Sequence, residues 1–222
     1  MEEISYAQTY EDGTSEDVAM ISEERDEPNL LIEGAPRTGK TYLAMKMLEE
    51  YVPTGRILFI ASAVSDNFTP KKYPDVTLIV SDDEEELIDK VYHFLKNIYA
   101  ELEKYDKDPE KQKFLHKHIF VFDEADVLFD RVSGYSKETR QKANWILRQW
   151  RRFGHKNINA WLITQYPQFI PVTVHGSSTK VSFYQVDKIW GFFEENKIAG
   201  ENVVGELRKL KKNDRKFVVW ES

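Results

Sequence analysis

Cysteine is absent from this chain of 222 residues. Its absence excludes a disulfide scaffold, a cysteine-ligated zinc site and thiol catalysis. Long apolar runs are missing too. The longest, Ile57 to Ala61, has five residues, against the roughly 18 to 20 that a membrane-spanning helix requires. The opening MEEISYAQTYEDGTSED is acidic and polar, unlike the basic-then-apolar order of a secretory signal. What is present is enough for a core: 41% hydrophobic residues and 13% aromatic, well above a disordered composition. The expectation is a soluble, intracellular globular protein with no membrane span.

The formal net charge of −7 is unevenly placed. Residues 1–27 hold ten acids and one base, Arg25, giving −9, whereas the rest has 28 acids and 30 bases, giving +2. An acidic leader therefore sets the sign of a mildly basic body, and a polyanionic partner stays open. Residues 1–28 show no helical or strand period and read as a flexible leader. Residues 29–222 read as a single domain in which short apolar runs alternate with amphipathic stretches, the texture of a mostly parallel α/β fold.

Strands are expected at Leu30–Ile32, Ile57–Ala61, Val76–Val80, Ile119–Phe122, Ile158–Ile163, Lys180–Tyr184 and Lys216–Trp220. A helix is expected from Gly39 to Tyr51. Ser81 with Glu84 reads as a capping box opening a long helix with Leu87, Val91, Phe94, Leu95, Ile98 and Leu102 on one stripe. Residues 63–75 and 104–117 read as connections. A further helix is expected over Lys137–Phe153, and two short ones over Lys188–Glu195 and Asn202–Leu210.

Gly34-Ala35-Pro36-Arg37-Thr38-Gly39-Lys40-Thr41 fits G-x4-G-K-[ST], with an apolar strand before it and a helix-forming run after it. Such a loop wraps triphosphate oxygens in backbone N–H groups, and the two glycines permit the dihedrals this needs. The helix start that follows adds unpaired N–H groups and the positive end of a dipole. Lys40 would set a charge between the β- and γ-phosphates, and the Thr41 hydroxyl would ligate Mg²⁺. The alternative is an ordinary glycine turn.

His118-Ile119-Phe120-Val121-Phe122-Asp123-Glu124 is an apolar strand ending in two acids. At the carboxyl edge of a parallel sheet, alternation along the strand would let the two divide the work. Asp123 would hold the Mg²⁺ shell, and Glu124 would orient and deprotonate water. Thr164-Gln165, ending another strand, could report the γ-phosphate or hold the water, or simply end a strand.

Along Lys137 to Phe153, Lys137, Gln141, Asn144, Arg148, Arg151 and Arg152 share one helical face, and Ala143, Ile146, Leu147, Trp150 and Phe153 share the other. A solvated face is one reading. A second is that Arg152, or else Arg151, reaches the triphosphate of a neighbouring subunit, with Arg37 as a rival acting in its own subunit. Arg208, Lys209, Lys211, Lys212, Arg215 and Lys216 form another basic run, either a contact to nucleic-acid phosphates or a charged turn.

Taken together, GAPRTGKT, IFVFDEAD, the RRFG element, WLITQYPQFIP, VSFY and ELRKLKKNDRKFVVW resemble the FtsK–HerA superfamily of DNA-translocating ATPases. The likeness is nearest to the genome-packaging ATPases of membrane-containing icosahedral viruses, archaeal ones included, and covers Asn29 to Trp220. The resemblance implies a RecA-like P-loop NTPase of the ASCE type, with the Gln165 strand between the two motif strands. It implies ATP and Mg²⁺ as cofactors and a ring, hexamer or pentamer, with nucleotide at the subunit interfaces. It implies double-stranded DNA as a partner bound without sequence preference, and capsid or portal-vertex proteins as further partners. The host cytoplasm or the virion would be the location. Under that mapping Lys40 and Thr41 serve the phosphates and Mg²⁺, Asp123 and Glu124 form the acidic pair, Gln165 is the polar sensor, and Arg152 or Arg151 is the finger.

Asp123 to Asp126 spell D-E-A-D, but a helicase of that type needs a second domain of comparable size. Two other readings stay open. One is a plasmid or phage DNA-transfer or secretion ATPase of the same superfamily. The other is a nucleotide-gated scaffold with little turnover.

Overall fold

The computed structural model describes residues 4–6, 29–51, 55–61, 76–105, 117–128, 134–150, 152–153 and 158–221. In chain order the elements are strand β1 (Ile4–Tyr6), β2 (Leu30–Glu33), helix α1 (Lys40–Tyr51), β3 (Gly55–Ala61), β4 (Val76–Val80), α2 (Glu84–Tyr105) and β5 (Lys117–Phe122). A 3-10 turn (Ala125–Leu128), α3 (Lys137–Trp150), β6 (Ile158–Thr164) and a second 3-10 turn (Pro167–Phe169) follow. The one-turn α4 (Val172–His175), β7 (Thr179–Phe183), α5 (Asp187–Glu195), α6 (Glu201–Lys209) and β8 (Phe217–Trp220) complete the chain. The fold is α/β, mostly parallel, with flanking helices. It forms two compact units, residues 1–46 with 162–222, and residues 47–161.

In the first unit β2 runs parallel to β7, from Leu30 opposite Thr179 to Glu33 opposite Ser182. Leu30-Leu31-Ile32 does not alternate because β2 is buried on both faces, as parallel strands are. β8 pairs antiparallel with β7, Lys180 facing Trp220 and Phe183 facing Phe217. α5 and α6 close over this edge: Ile189, Trp190, Phe193, Val204 and Leu207 pack with Val218 and Trp220. Each large side chain taken from water there contributes about 1.5–3 kcal/mol.

The outer edge of β8 pairs antiparallel with β1, Ile4 opposite Val219 and Tyr6 opposite Phe217. This strand lies inside the stretch that reads as leader. Three residues are too few to carry a period, and the pairing comes from an edge that β8 offers. The remainder of the expected leader, residues 1–3 and 7–28, lies outside the described residues, as do residues 62–75 and 106–116.

In the second unit β3 is central, parallel to β4 on one side and to β5 on the other. α2 and α3 pack together. Leu87, Ile88, Val91, Leu95 and Ile98 of α2 are buried, as are Ala143, Ile146 and Trp150 of α3. Phe94 of the expected stripe is half-buried, and the side chain of Leu102 lies outside the described residues. Polar bonds flank the apolar seam: Lys142 Nζ donates to Asp89 and Glu138, each at 2.6 Å, and Thr139 Oγ1 donates to Glu85 at 2.5 Å.

Two helix ends differ from the sequence reading. The cap of α2 is Asp83, whose carboxylate accepts the Glu86 N–H at 2.9 Å, while Ser81 bonds the Glu86 side chain at 2.5 Å. The cap is thus shifted two residues along, to a charged acceptor at the same spacing, and Ser81 takes the Asp83 N–H at 3.3 Å in place of a box's return bond. α3 ends at Trp150 rather than Phe153: Arg152 N–H bonds Gln149 O at 2.7 Å and Phe153 N–H bonds Trp150 O at 3.3 Å, a tightened last turn.

Candidate nucleotide site

The loop from Gly34 to Thr41 springs from β2 and ends in the first turn of α1. Gly34 has φ +153°, and a Cβ there would lie 2.7 Å from Phe183 Cβ and 3.2 Å from Thr38 Oγ1. Gly39 has φ +106°, with the Phe183 ring 3.6 Å from where its Cβ would be. Arg37, between them, is also left-handed at φ 65°, a conformation costing a bulky residue about 1–2 kcal/mol. These three dihedrals curl the backbone back on itself, and the two glycines leave room for it to do so.

Short bonds hold the curl. Gly34 N–H donates to Thr164 O at 3.3 Å, and Ala35 N–H to Tyr184 O at 2.8 Å, so the loop base is fixed to the ends of β6 and β7. The buried Thr38 hydroxyl donates to Ala35 O at 2.8 Å. Lys40 is 6% exposed, and its ammonium donates to the carbonyls of Gly34 and Ala35, both at 2.8 Å. A buried cation is thereby fixed to the curled loop at a helix start, a setting that suits a polyphosphate. Pro36 contributes no N–H, and Pro36 and Arg37 are exposed. Thr41 is half-buried in the first turn, where a hydroxyl can take a metal ligand's place.

Gln165 follows β6 in the same unit and is half-buried. Its backbone carbonyl accepts a bond from Gln185 Nε2 at 2.9 Å. The Thr164 hydroxyl is turned inward and accepts the Tyr166 N–H at 3.0 Å. Of the pair, only Gln165 can offer its side chain outward.

In the second unit Asp123 and Glu124 follow β5, both half-buried. The strand stops at Phe122, so strand alternation does not divide the two acids as the sequence suggests. A turn does: Glu124 adopts φ 56°, and its N–H donates to Asp123 Oδ1 at 3.1 Å. Val127 N–H closes the turn on Glu124 O at 3.1 Å. A non-glycine residue held left-handed costs of order 1–3 kcal/mol.

Arg152 is exposed just past α3, and its charge reaches Tyr99, whose hydroxyl burial pushes well above the ordinary phenol range. Lys137, Gln141, Asn144 and Arg148 are exposed, as expected for one polar face, and Arg140 joins them. Arg151 lies outside the described residues. In the other basic run Arg208 is held by Asp187 at 2.7 Å and by Glu194 at 2.9 and 3.0 Å. Lys209 binds Glu206 at 2.5 Å. These two belong to intrachain pairs, while Lys211, Lys212, Arg215 and Lys216 are exposed.

Residues 30–182 match the family model described as ATPase family associated with various cellular activities (AAA). The chain belongs to the AAA ATPase family. No curated protein matches its sequence. Among solved structures, this AAA fold is similar to the genome-packaging NTPase B204 of Sulfolobus turreted icosahedral virus 2, in complex with ATP-gammaS: 13% identity over 88% of this chain and 93% of that one, TM-score 0.59. It is similar also to the pCW3 conjugation coupling protein TcpA, with 17% identity over 82% of this chain and 54% of the other, TM-score 0.57. ATPases 2 and 3 of EssC from Geobacillus thermodenitrificans give 16% identity over 87% and 39%, TM-score 0.61. The sequence resemblance to packaging ATPases is thus met in the fold.

Two residues that position the loop and the strand end beside it escape a reading of motifs. Phe183 packs against both loop glycines; its sequence signal, an F-Y pair at the end of β7, marked a strand but no role. Gln185, which ties the strand end carrying Gln165, stands only two residues further on. Among the described residues no group of three or more acids or histidines could hold a metal by itself, and no helix is long and apolar enough to cross a membrane.

Proposed function

We propose that this ATPase is a motor that translocates double-stranded DNA, packaging a viral genome into a preformed capsid. The observation that carries the reading is the exposed basic face of α3, Lys137, Arg140 and Arg148, on a protein with a built phosphate loop. Fold likeness to a genome-packaging NTPase supports it. Backbone phosphates are a sequence-independent target for such a face.

In this reading ATP is held by Gly34 to Thr41, with Lys40 on the β- and γ-phosphates. Thr41 and Asp123 would be the residues to hold Mg²⁺, which when bound would supply charge neutralisation on the phosphates. Glu124 takes the proton of the attacking water, and Gln165 senses the γ-phosphate. Subunits assemble into a hexameric or pentameric ring, where Arg152 or Arg151 stabilises transition-state charge in the neighbour, an effect worth ~10³ or more in rate. Capsid or portal-vertex proteins are its partners, in the host cytoplasm or on the virion.

The deciding experiment compares ATPase rate with and without double-stranded DNA, on protein of measured native mass. Stimulation that fades as salt rises supports the motor, and turnover indifferent to DNA at low salt removes it. The likeness to a conjugation coupling protein and to EssC favours a second reading, a DNA-transfer or secretion ATPase. Stimulation by a protein substrate instead of DNA would select the secretion form.

A further inference from the structure

Glu33 ends β2 immediately before Gly34, and it is fully buried. None of the roles given above to the loop, the acid pair or the arginines uses it. Ser182 stands opposite it on β7, and the Ser182 hydroxyl bonds Glu33 Oε1 at 2.5 Å. The same hydroxyl oxygen accepts the Trp220 indole N–H from β8 at 2.8 Å. One hydroxyl thus joins three strands. Glu33 Oε2 is buried with no hydrogen-bond partner.

That last feature decides the ionisation state the site was built for. An ionised carboxylate is acceptor-only and needs donors on both oxygens; burying one without a donor carries a heavy desolvation cost. A neutral acid accepts the Ser182 hydroxyl on Oε1 and leaves only an uncharged O–H at Oε2, a far smaller cost than a bare charge there. Burial accordingly pushes Glu33 up to about 8, against the opposing Ser182 bond and the Lys180 charge. The charged groups facing this pocket are few. Lys180, two residues before Ser182 on β7, is fully buried, with its ammonium 4.7 Å from the Trp220 ring centroid. Burial pushes it down to about 8, while Glu33 and Glu221 hold it up. From α4 comes His175, pushed down to about 4 by burial, which leaves it neutral.

The link to the loop is covalent and tight. Gly34 follows Glu33, and Phe183, which stands against Gly34 with no room for a methyl group, follows Ser182. A slip between Glu33 and Ser182 is a slip between Gly34 and Phe183.

We propose that Glu33 is a positioning residue for the phosphate loop: as a neutral acid bridged by Ser182 to Trp220, it holds the β2–β7 register from which the loop rises, and losing its proton loosens nucleotide binding. The inference rests on Gly34 to Thr41 being the nucleotide site. Ionisation would leave a charged Oε2 buried without a donor; relieving that cost draws the carboxylate toward Lys180 or water against the hold of the Ser182 bond, and the loop base would move with it.

The test is calorimetric titration of the full chain with ATP-gammaS and Mg²⁺ from about pH 6.5 to 9.5. The wild type should lose ~tenfold in affinity across that range, with the fall centred near pH 8. Glu33→Gln imitates the neutral acid and should bind with an almost flat profile. Glu33→Ala, which lacks the bridge, should bind weakly throughout. Lys180→Met should keep the fall but move it to higher pH, since a cation favouring ionisation is gone. A wild-type profile that is flat, or a Glu33→Gln profile that falls like the wild type, overturns the role of Glu33 alone. No binding by folded wild type at pH 7 overturns the nucleotide-site reading beneath it. Should Glu33→Gln fail to fold, Ser182→Ala answers the same question: weaker binding at pH 7 supports the bridge, and unchanged binding with the wild-type fall removes it.

Discussion

Phe183 stands so close to Gly34 that a single added carbon on the glycine would lie 2.7 Å from the Phe183 Cβ. The contact is backbone-deep, since the Phe183 Cα would be only 3.3 Å away, so no rotamer change can relieve it. Gly34→Ala therefore has to shift β2 against β7, and it also occupies a dihedral region that L-residues avoid, at a cost of order 1–3 kcal/mol. For a protein of this size, a loss of each kcal/mol lowers Tm by about 2–4 °C. A drop of about 5 °C or more, with loss of ATP-gammaS binding, is expected by differential scanning calorimetry and titration. Retention of both would mean that the loop base is softer than its contacts imply.

Lys40 and Glu124 should fail in different ways. Lys40→Ala removes the cation that is fixed to the Gly34 and Ala35 carbonyls, and nucleotide binding should be lost with turnover. Glu124→Gln keeps the shape of the turn after β5 and removes only the carboxylate's basicity. Binding of ATP should persist while hydrolysis falls by ~100-fold or more, the range of general-base losses. Equilibrium binding beside steady-state turnover separates the two. A scaffold that uses nucleotide only as a latch would keep its assembly unchanged in Glu124→Gln.

Two buried groups should pull stability in opposite directions as pH changes. His175 accepts burial as the neutral ring and is pushed down to about 4, so the folded state binds its proton less readily than the unfolded chain does. Its contribution is fully present above about 6.5 and is lost as pH falls through about 4. Glu33, pushed up to about 8 from an ordinary value of 4.5, binds its proton more tightly when folded. Its contribution is complete below 4.5 and is lost as pH rises through 8. Lys180, pushed down to about 8, restores stability as pH climbs beyond that. Between 4.5 and 6.5 the His175 and Glu33 trends oppose and largely cancel, so thermal melts should be nearly level there, fall from about 6.5 to 8 and recover beyond. Glu33→Gln should remove that fall and uncover the rise from pH 4 to 6.5 that His175 supplies, and His175→Gln should remove the rise and leave a fall that starts near 4.5. Variants that change the height of the curve without its shape would place the titrating groups elsewhere.

How much of this was legible beforehand depends on how local each signal is. The phosphate loop is contiguous, and eight residues with a strand before and a helix after carry it whole. Strand positions are read well where an apolar run is bounded by turn residues, as at Val76–Val80. The cap of α2 is misread by two residues because Ser81 and Asp83 both have a glutamate three places on. Ile4–Tyr6 is invisible since its pairing belongs to β8, more than two hundred residues away. The division of labour between Asp123 and Glu124 is argued from alternation, yet the strand has already ended, and only the left-handed Glu124 reveals the turn. Glu33 reads as a polar end to an apolar strand; its burial depends on Ser182 and Trp220, which no pattern within β2 could announce.

Arg152 gives the last prediction, which tests the proposed sharing of a site between subunits without a count of them. It is exposed beyond α3, so its guanidinium is available to a neighbouring subunit. Arg152→Ala and Lys40→Ala proteins should each be nearly inactive alone. Mixed together, some interfaces join an intact phosphate loop to an intact arginine, and hydrolysis should reappear in proportion to such interfaces. An arginine acting on its own subunit's nucleotide gives no recovery, since each subunit then carries its own defect. The same mixture made with Arg151→Ala or Arg37→Ala ranks the three candidates: the trans-acting residue recovers and a cis-acting one does not. Recovery with none of the three, in protein shown to assemble, would remove the shared-site arrangement altogether.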